Sequence, residues 1–364
     1  MRVGVLTGGG DCPGLNAVIR AVTQCLVRQC DAQVIGILDG FAGLMEARTV
    51  PLSWDRVDDL LALGGTMLGT TNRLNPLDTP NGVAMAMANA RTLGLDALVA
   101  IGGDGTLTIA HALAEQGLNV VGVPKTIDND IEGCERSFGF DTAVATVTDA
   151  LERVHTTGQS HGRIMILETM GRHAGWIALE AGIAGAADII LLPEIDHDVD
   201  TLAQVCRARE ARHHFTLICI GEGAKAIDGG ITFDSPAPAD TGRPRLGGAA
   251  MVLRDRLQPL VHSEIRATVL GHVQRGGSPT PFDRVLATRY GVHAANLVAN
   301  GEFGQLVTLK DGQLSTVSLA RVAAQNRRVP PDDPLLRTAR QLGVYFGETA
   351  LAPATVQEWS RGRR

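Results

Sequence analysis

Two acidic side chains and a lysine stand in Pro124-Lys125-Thr126-Ile127-Asp128-Asn129-Asp130, a short distance beyond the run Gly102-Gly103-Asp104-Gly105-Thr106. Phosphoryl transfer asks for a carboxylate that holds a metal ion, a backbone that a polyphosphate can approach closely, and a second carboxylate that takes the acceptor's proton. Positioning and electrostatics supply most of that catalysis. All three requirements fall within thirty residues here.

The elements around these residues decide whether they can meet. Asp96-Ala97-Leu98-Val99-Ala100-Ile101 is short, continuous and apolar, the pattern of a strand buried on both faces. Thr108 to Ala114 reads as the helix that follows. Gly102 to Thr106 therefore lies at a strand-to-helix switch, where backbone N–H groups at a helix start can receive phosphate oxygens. Asp104 is then the candidate magnesium ligand, directly or through water. The alternative is that Asp104 or Thr106 caps the helix.

The amino terminus repeats the device. Arg2-Val3-Gly4-Val5-Leu6 reads as a strand, and Thr7-Gly8-Gly9-Gly10-Asp11-Cys12-Pro13-Gly14-Leu15-Asn16 as a glycine turn ahead of a helix from about Ala17 to Arg28. The spacing is not the G-x-G-x-x-G dinucleotide pattern and no acidic residue follows at the right distance, which disfavours a nicotinamide-dependent oxidoreductase. Gly10 is the candidate for close approach to donor phosphates, against the alternative of a tight loop.

Together these motifs resemble the phosphofructokinase family. The likeness continues through Gly64-Gly65-Thr66-Met67-Leu68-Gly69-Thr70, Ser160-His161-Gly162-Arg163, Glu168-Thr169-Met170-Gly171-Arg172, Gly221-Glu222-Gly223 and Arg266-Ala267-Thr268-Val269-Leu270-Gly271-His272-Val273-Gln274-Arg275-Gly276-Gly277, over roughly residues 1 to 325. The resemblance implies phosphorylation of fructose 6-phosphate at its 1-hydroxyl from Mg-ATP, in glycolysis. It implies Asp128 as the base, with Thr126, Asp130 and Arg172 beside it, and Arg172 approaching the transferring group. General-base help of that kind is worth about 10²–10⁴ in rate. Asp128 has an Asx-type turn or helix cap as its alternative, and Asp130 has bracing of the loop.

By the same resemblance Gly10, Arg73, Gly103, Asp104, Gly105 and Thr106 hold the donor, with Asp104 on the metal. Thr126, Ile127, Asp128, Met170, Gly171, Arg172, Glu222, His272, Val273, Gln274 and Arg275 hold the sugar phosphate, helped by Arg163 and Arg266 from a neighbouring subunit. A homotetramer or homodimer follows from that sharing. Arginine suits these positions because its planar guanidinium grips an oxyanion with two parallel hydrogen bonds. Allosteric relatives carry two arginines one turn apart in the first helix, whereas Arg20 is followed here by Gln24. A weak response to phosphorylated effectors is expected.

Gly105 and Lys125 bear on the donor. ATP enzymes of the family carry glycine at both positions, and pyrophosphate enzymes carry aspartate at the first and lysine at the second. An aspartate at 105 would put bulk and charge where a nucleotide's α-phosphate belongs, so Gly105 leaves ATP open. Lys125, read as a flexible ammonium group able to swing aside, does not close that route. ATP is the expected donor and pyrophosphate the alternative. A lipid or NAD kinase would explain Gly102 to Thr106 but not the arginine set, and a non-catalytic sugar-phosphate-binding subunit would not keep Asp104 and Asp128.

The remaining features set the frame. The 364 residues are 45% hydrophobic and carry a formal charge of −6, so the chain can bury a large core and shows no general basic footprint for nucleic acid. The length predicts two domains. The fold class is α/β: two three-layer domains with mainly parallel sheets and an active-site cleft between them. The resemblance, in which the chain crosses between domains more than once, implies boundaries at 1–138 plus 274–324 for the donor domain and 139–273 plus 325–345 for the sugar-phosphate domain, with 346–364 as a tail. Residues 225–246 read as an inserted loop or hairpin. No stretch of eighteen apolar residues occurs, and six scattered cysteines lack C-x-x-C spacing, which predicts a soluble cytoplasmic protein without a membrane span, a disulfide frame or a zinc site.

Overall fold

Short apolar runs separated by glycine turns become strands because a β-branched or aliphatic run with no polar face is stable only when covered on both sides. The computed structural model describes residues 1–71, 74–212, 214–235, 245–323 and 326–349. Its strands are β1 (Arg2–Thr7), β2 (Gln33–Ile37), β3 (Thr49–Leu52), β4 (Ala97–Gly102), β5 (Val120–Pro124), β6 (Ile164–Thr169), β7 (Ile189–Leu191), β8 (Thr216–Gly221), β9 (Phe233–Ser235), β10 (Arg245–Leu246), β11 (Ile265–Val269), β12 (Gln305–Lys310) and β13 (Gln313–Ser318). The chain forms two units, one of residues 1–142 and 275–327, the other of 143–274 and 328 onward.

In the first unit seven strands run in the order β13-β12-β5-β4-β1-β2-β3. The five inner strands are parallel, and β3 and β13 add antiparallel edges. Every residue of β4 and β5 is buried. Helices Leu15–Cys30 and Pro281–Asn300 pack closely, with Gly291 admitting Ala21 at a distance that no side chain would allow.

In the second unit four parallel strands run β11-β6-β8-β7. Beyond β7 the chain returns: Ile190 N–H donates to Tyr345 O at 2.9 Å and Tyr345 N–H to Asp188 O at 3.1 Å. Tyr345 and Phe346 are buried, so this part of the C-terminal segment is built into the unit rather than laid on its surface. The insertion at 225–246 contains the antiparallel pair β9/β10, and residues 236–244 lie outside the described ones, as do 350–364 of the tail. All six cysteines are free. Among the described residues no helix is long and apolar enough to cross a membrane.

Candidate active site

Three adjacent strands of the first unit deliver their carboxyl ends side by side. Thr7 at the end of β1 follows the pairing of β1 with β4, and Gly102 at the end of β4 pairs with Pro124 at the end of β5. Gly8 N–H donates to Ile101 O at 2.9 Å, and Lys125 N–H to Gly102 O at 2.9 Å. The two glycine turns and the Lys125–Asp130 loop are thereby neighbours. Because β2 lies on one side of β1 and β4 on the other, this is the point where strand order reverses, the place where open α/β sheets build ligand sites.

The second turn opens directly into the helix Asp104–Glu115, whose N-cap is Gly103 with no side-chain cap. The sequence placed this helix from Thr108 and left open a capping role for Asp104 or Thr106. It starts four residues earlier, because Gly105 and the polar first turn carry no apolar periodicity that would reveal it. Asp104 and Gly105 are exposed at its start. Thr106 is buried, and its side chain occupies the space that a Cβ at Gly8 or Gly102 would need. Those two glycines answer to the Thr106 side chain. Gly105 is different: a Cβ there would meet no protein atom within 4 Å.

Lys125 is buried, with Nζ donating to Gly10 O. Burial lowers its pKa, while Asp128 and Asp11 work in the opposite direction. The ammonium group is therefore held against the first glycine turn and is not the free arm that its length suggested. Arg275 lies over the same turn, with a nitrogen 2.9 Å from where a Gly10 Cβ would be and a hydrogen bond to Asp11 O at 3.2 Å.

Asp128 is half-buried, and its Oδ1 is buried without a hydrogen-bond partner. Burial raises its pKa, Arg275 and Lys125 pull it back, and Asp104 adds to the rise. Asp130 is pushed up to about 7 by burial and then by Asp128, against a hydrogen bond from Thr126. The Thr126 hydroxyl also accepts Asp128 N–H at 3.1 Å, so one side chain ties both acidic residues together. Ile127, between Thr126 and Asp128, is fully buried. Arg73 lies outside the described residues.

The second unit splits its predicted residues between two ends of one sheet. Met170, Gly171 and Arg172 follow the carboxyl end of β6, and Glu222 follows that of β8, its N–H donating to Thr169 O at 2.8 Å. Gln274 is buried, accepting Met170 N–H at 3.2 Å and donating to Gly271 O at 3.0 Å, so it braces this end. His272 and Val273 stand exposed on the same turn, and Arg172 Nε is buried without a partner. Glu168 turns away to accept Gly248 and Ala250 N–H at 3.0 and 2.8 Å.

Arg163 and Arg266 sit at the opposite end. Arg163 immediately precedes β6, and Arg266 pairs with Met165 near the start of β11. Six residues of β6 at ~3.3 Å each put about 20 Å between these arginines and Met170. Both are gripped by Glu264, Arg163 Nε at 2.6 Å from Oε2 and Arg266 through Oε1. The sequence reading missed Glu264. Its position two residues ahead of Arg266, hence on the same face of an extended chain, was the available signal.

A group of three or more metal-ligating side chains is absent among the described residues. That donor set still fits magnesium, which takes one or two protein carboxylates and completes its shell with water and substrate phosphates. Exposed Asp104 and the unpartnered Oδ1 of Asp128 are hard oxygen donors whose mutual repulsion a cation would relieve.

Relatives place this geometry in context. The chain is 46% identical to ATP-dependent 6-phosphofructokinase 2 of Clostridium perfringens, over 95% of this chain and 98% of that one. It is 44% identical to pyrophosphate–fructose 6-phosphate 1-phosphotransferase of Streptomyces coelicolor, over 95% of this chain and 100% of that one. The crystal structure of Pichia pastoris phosphofructokinase in the T-state superposes with a TM-score of 0.77 at 28% identity, covering 99% of this chain, which spans 36% of the yeast polypeptide. With residues 2–298 matching the family model described as Phosphofructokinase, the chain belongs to the phosphofructokinase family.

Proposed function

We propose that the protein transfers the terminal phosphoryl group of Mg-ATP to the 1-hydroxyl of fructose 6-phosphate, giving fructose 1,6-bisphosphate and ADP. The observation that carries this reading is the set of three neighbouring strand ends that gather two glycine turns, Asp104, Asp128 and Arg275. The donor oxygens meet backbone N–H groups at Gly10 and at Gly103 to Thr106. The 1-hydroxyl oxygen attacks the terminal phosphorus, its proton passes to Asp128, and the bond to the ADP oxygen breaks. A carboxylate with a raised pKa is the stronger base near neutral pH. Arg275 favours the ionised form of Asp128, and Arg172, with its unspent Nε, meets the charge on the moving group. Asp104 would hold magnesium, which would supply positive charge to neutralise the polyphosphate.

ATP is favoured over pyrophosphate by the open space around Gly105, which the protein's own packing does not require. A pyrophosphate reading is favoured by Lys125 and by the near-equal likeness to the Streptomyces enzyme. The position of Arg163 and Arg266 at the far end of the second sheet supports a homodimer or homotetramer in which they serve a neighbouring copy. Six free thiols suit the reducing cytoplasm, where glycolysis runs.

Coupled assays with each donor at saturating fructose 6-phosphate test the reading. Turnover with Mg-ATP is expected, and Asp128→Asn should reduce it by about 10²–10⁴ while sugar-phosphate binding persists. Turnover with pyrophosphate alone would overturn the donor, and full activity of Asp128→Asn would remove the base.

A further inference from the structure

The Thr126–Asp130 loop is held from behind by a part of the chain that lies beyond the family match at residues 2–298. Ile131 pairs with Asn326 as an antiparallel bridge, and Arg327 N–H donates to Asp130 O at 2.7 Å. The Arg327 guanidinium then donates through one nitrogen to Asn129 O at 3.1 Å and Glu135 O at 3.2 Å. These three bonds all end on backbone carbonyls of the loop and its return.

What these bonds hold is an unusual backbone. Asn129, between Asp128 and Asp130, has φ 53°, a left-handed conformation that most residues avoid and asparagine tolerates by bonding locally. Its own side chain does so, donating to Glu135 O at 3.2 Å and accepting Ser137 N–H at 2.9 Å. Glu135 O thus receives both Asn129 and Arg327. The direction in which Asp128 leaves the loop depends on that left-handed residue, and Arg327 locks the carbonyl on one side of it and the next carbonyl after it.

We infer that Arg327 is a positioning residue for phosphoryl transfer: a strap from the C-terminal part of the chain whose guanidinium fixes the Asp128 carboxylate by clamping the carbonyls of Asn129 and Glu135. The inference rests on the reading of Asp128 as the base. A strap of this kind acts through the loop, so its loss should act on turnover more than on binding. Displacing a reacting group by about 1 Å can cost about a hundredfold in rate.

The test compares Arg327→Met, Arg327→Lys and, as a control, Arg321→Met, an exposed arginine of the preceding helix. In the full-length enzyme Arg327→Met should lower kcat about ten- to a hundredfold, with KM for each substrate within about threefold of the parent. Arg327→Lys keeps a charged donor but replaces the rigid guanidinium, which sets one nitrogen between the two carbonyls, with a flexible ammonium, so it should recover part of the loss, to within about tenfold of the parent. Arg321→Met should leave kcat and both KM values at those of the parent. A kcat for Arg327→Met within about twofold of the parent overturns the inference. So does a loss that Arg327→Lys does not lessen, or one that follows the unfolded fraction seen by circular dichroism. Asp128→Asn separates the two claims: if it stays active the base assignment fails, whereas an inactive Asp128→Asn beside a fully active Arg327→Met refutes the strap alone.

Discussion

Replacing Gly105 by aspartate separates what the fold needs from what the donor needs. Gly105 is the second residue of the helix Asp104–Glu115, its φ lies outside the left-handed region, and an added Cβ would meet no protein atom within 4 Å. The protein therefore accepts the side chain without strain. A carboxylate in the first helical turn even gains about 0.3–1 kcal/mol from the helix end, and side chains adjacent in sequence on a helix, here with Asp104, do not face each other. The cost falls on the ligand. A carboxylate about 4 Å from a donor phosphate is repelled by about 1 kcal/mol in water-like surroundings and about 4 kcal/mol where water is partly excluded. Converted at 298 K, kcat/KM for Mg-ATP should fall between roughly fivefold and a thousandfold, with pyrophosphate use less affected because it reaches less far along the turn. Steady-state assays with both donors, alongside calorimetric melting, give the answer. An unchanged kcat/KM for ATP would refute the donor geometry, and a large drop in Tm would refute the claim that Gly105 is free of packing.

Two more outcomes follow from the geometry. The Asp130 carboxyl, raised to about 7 from 3.8, stays protonated in the folded protein while the unfolded chain ionises, so stability falls as pH rises from about 4 to about 7. Asp130→Asn should therefore raise Tm relative to the parent at pH 8 and not at pH 4, by the equivalent of about 1–3 kcal/mol once coupling to Asp128 and solvent access are discounted; equal effects at the two pH values would count against a buried, proton-holding carboxyl. Separately, if Arg266 serves a neighbouring copy, two inactive variants should rescue each other: mixed oligomers of Arg266→Ala and Asp128→Asn chains would contain intact sites at roughly a quarter of positions. Co-expression yielding no more activity than the variants alone would show that Arg266 works within its own chain.

Much of the first unit's site could be read from residue order alone. Continuous apolar runs ending in Gly8-Gly9-Gly10 and Gly102-Gly103 determine strands that stop in tight turns, since such runs need cover on both faces and only glycine lets a backbone turn so closely. Asp104, Thr126, Asp128 and Asp130 follow as candidates because their spacing after those turns is local. What lay beyond reach was everything set by partners distant in sequence. The flexible arm of Lys125 is tied to Gly10 only because β1, β4 and β5 pair as they do. Gly8 and Gly102 admit Thr106 rather than a phosphate, a distinction that composition cannot make. Arg20 and Gln24 both reach Asp58, at 3.3 and 2.9 Å, so a carboxylate from residues 58–60 meets the first helix where a pair of arginines was sought.

The far-end position of Arg163 and Arg266, and their common hold on Glu264, likewise required the register of β11 against β6. Local order determined which elements form and which residues end them, because burial pattern, glycine and helix termini act over a few positions. The tertiary structure alone decided which of those residues meet, which charges are buried, and that Arg327 holds the loop of Asp128, because parallel pairing and burial bring together groups separated by tens to hundreds of positions.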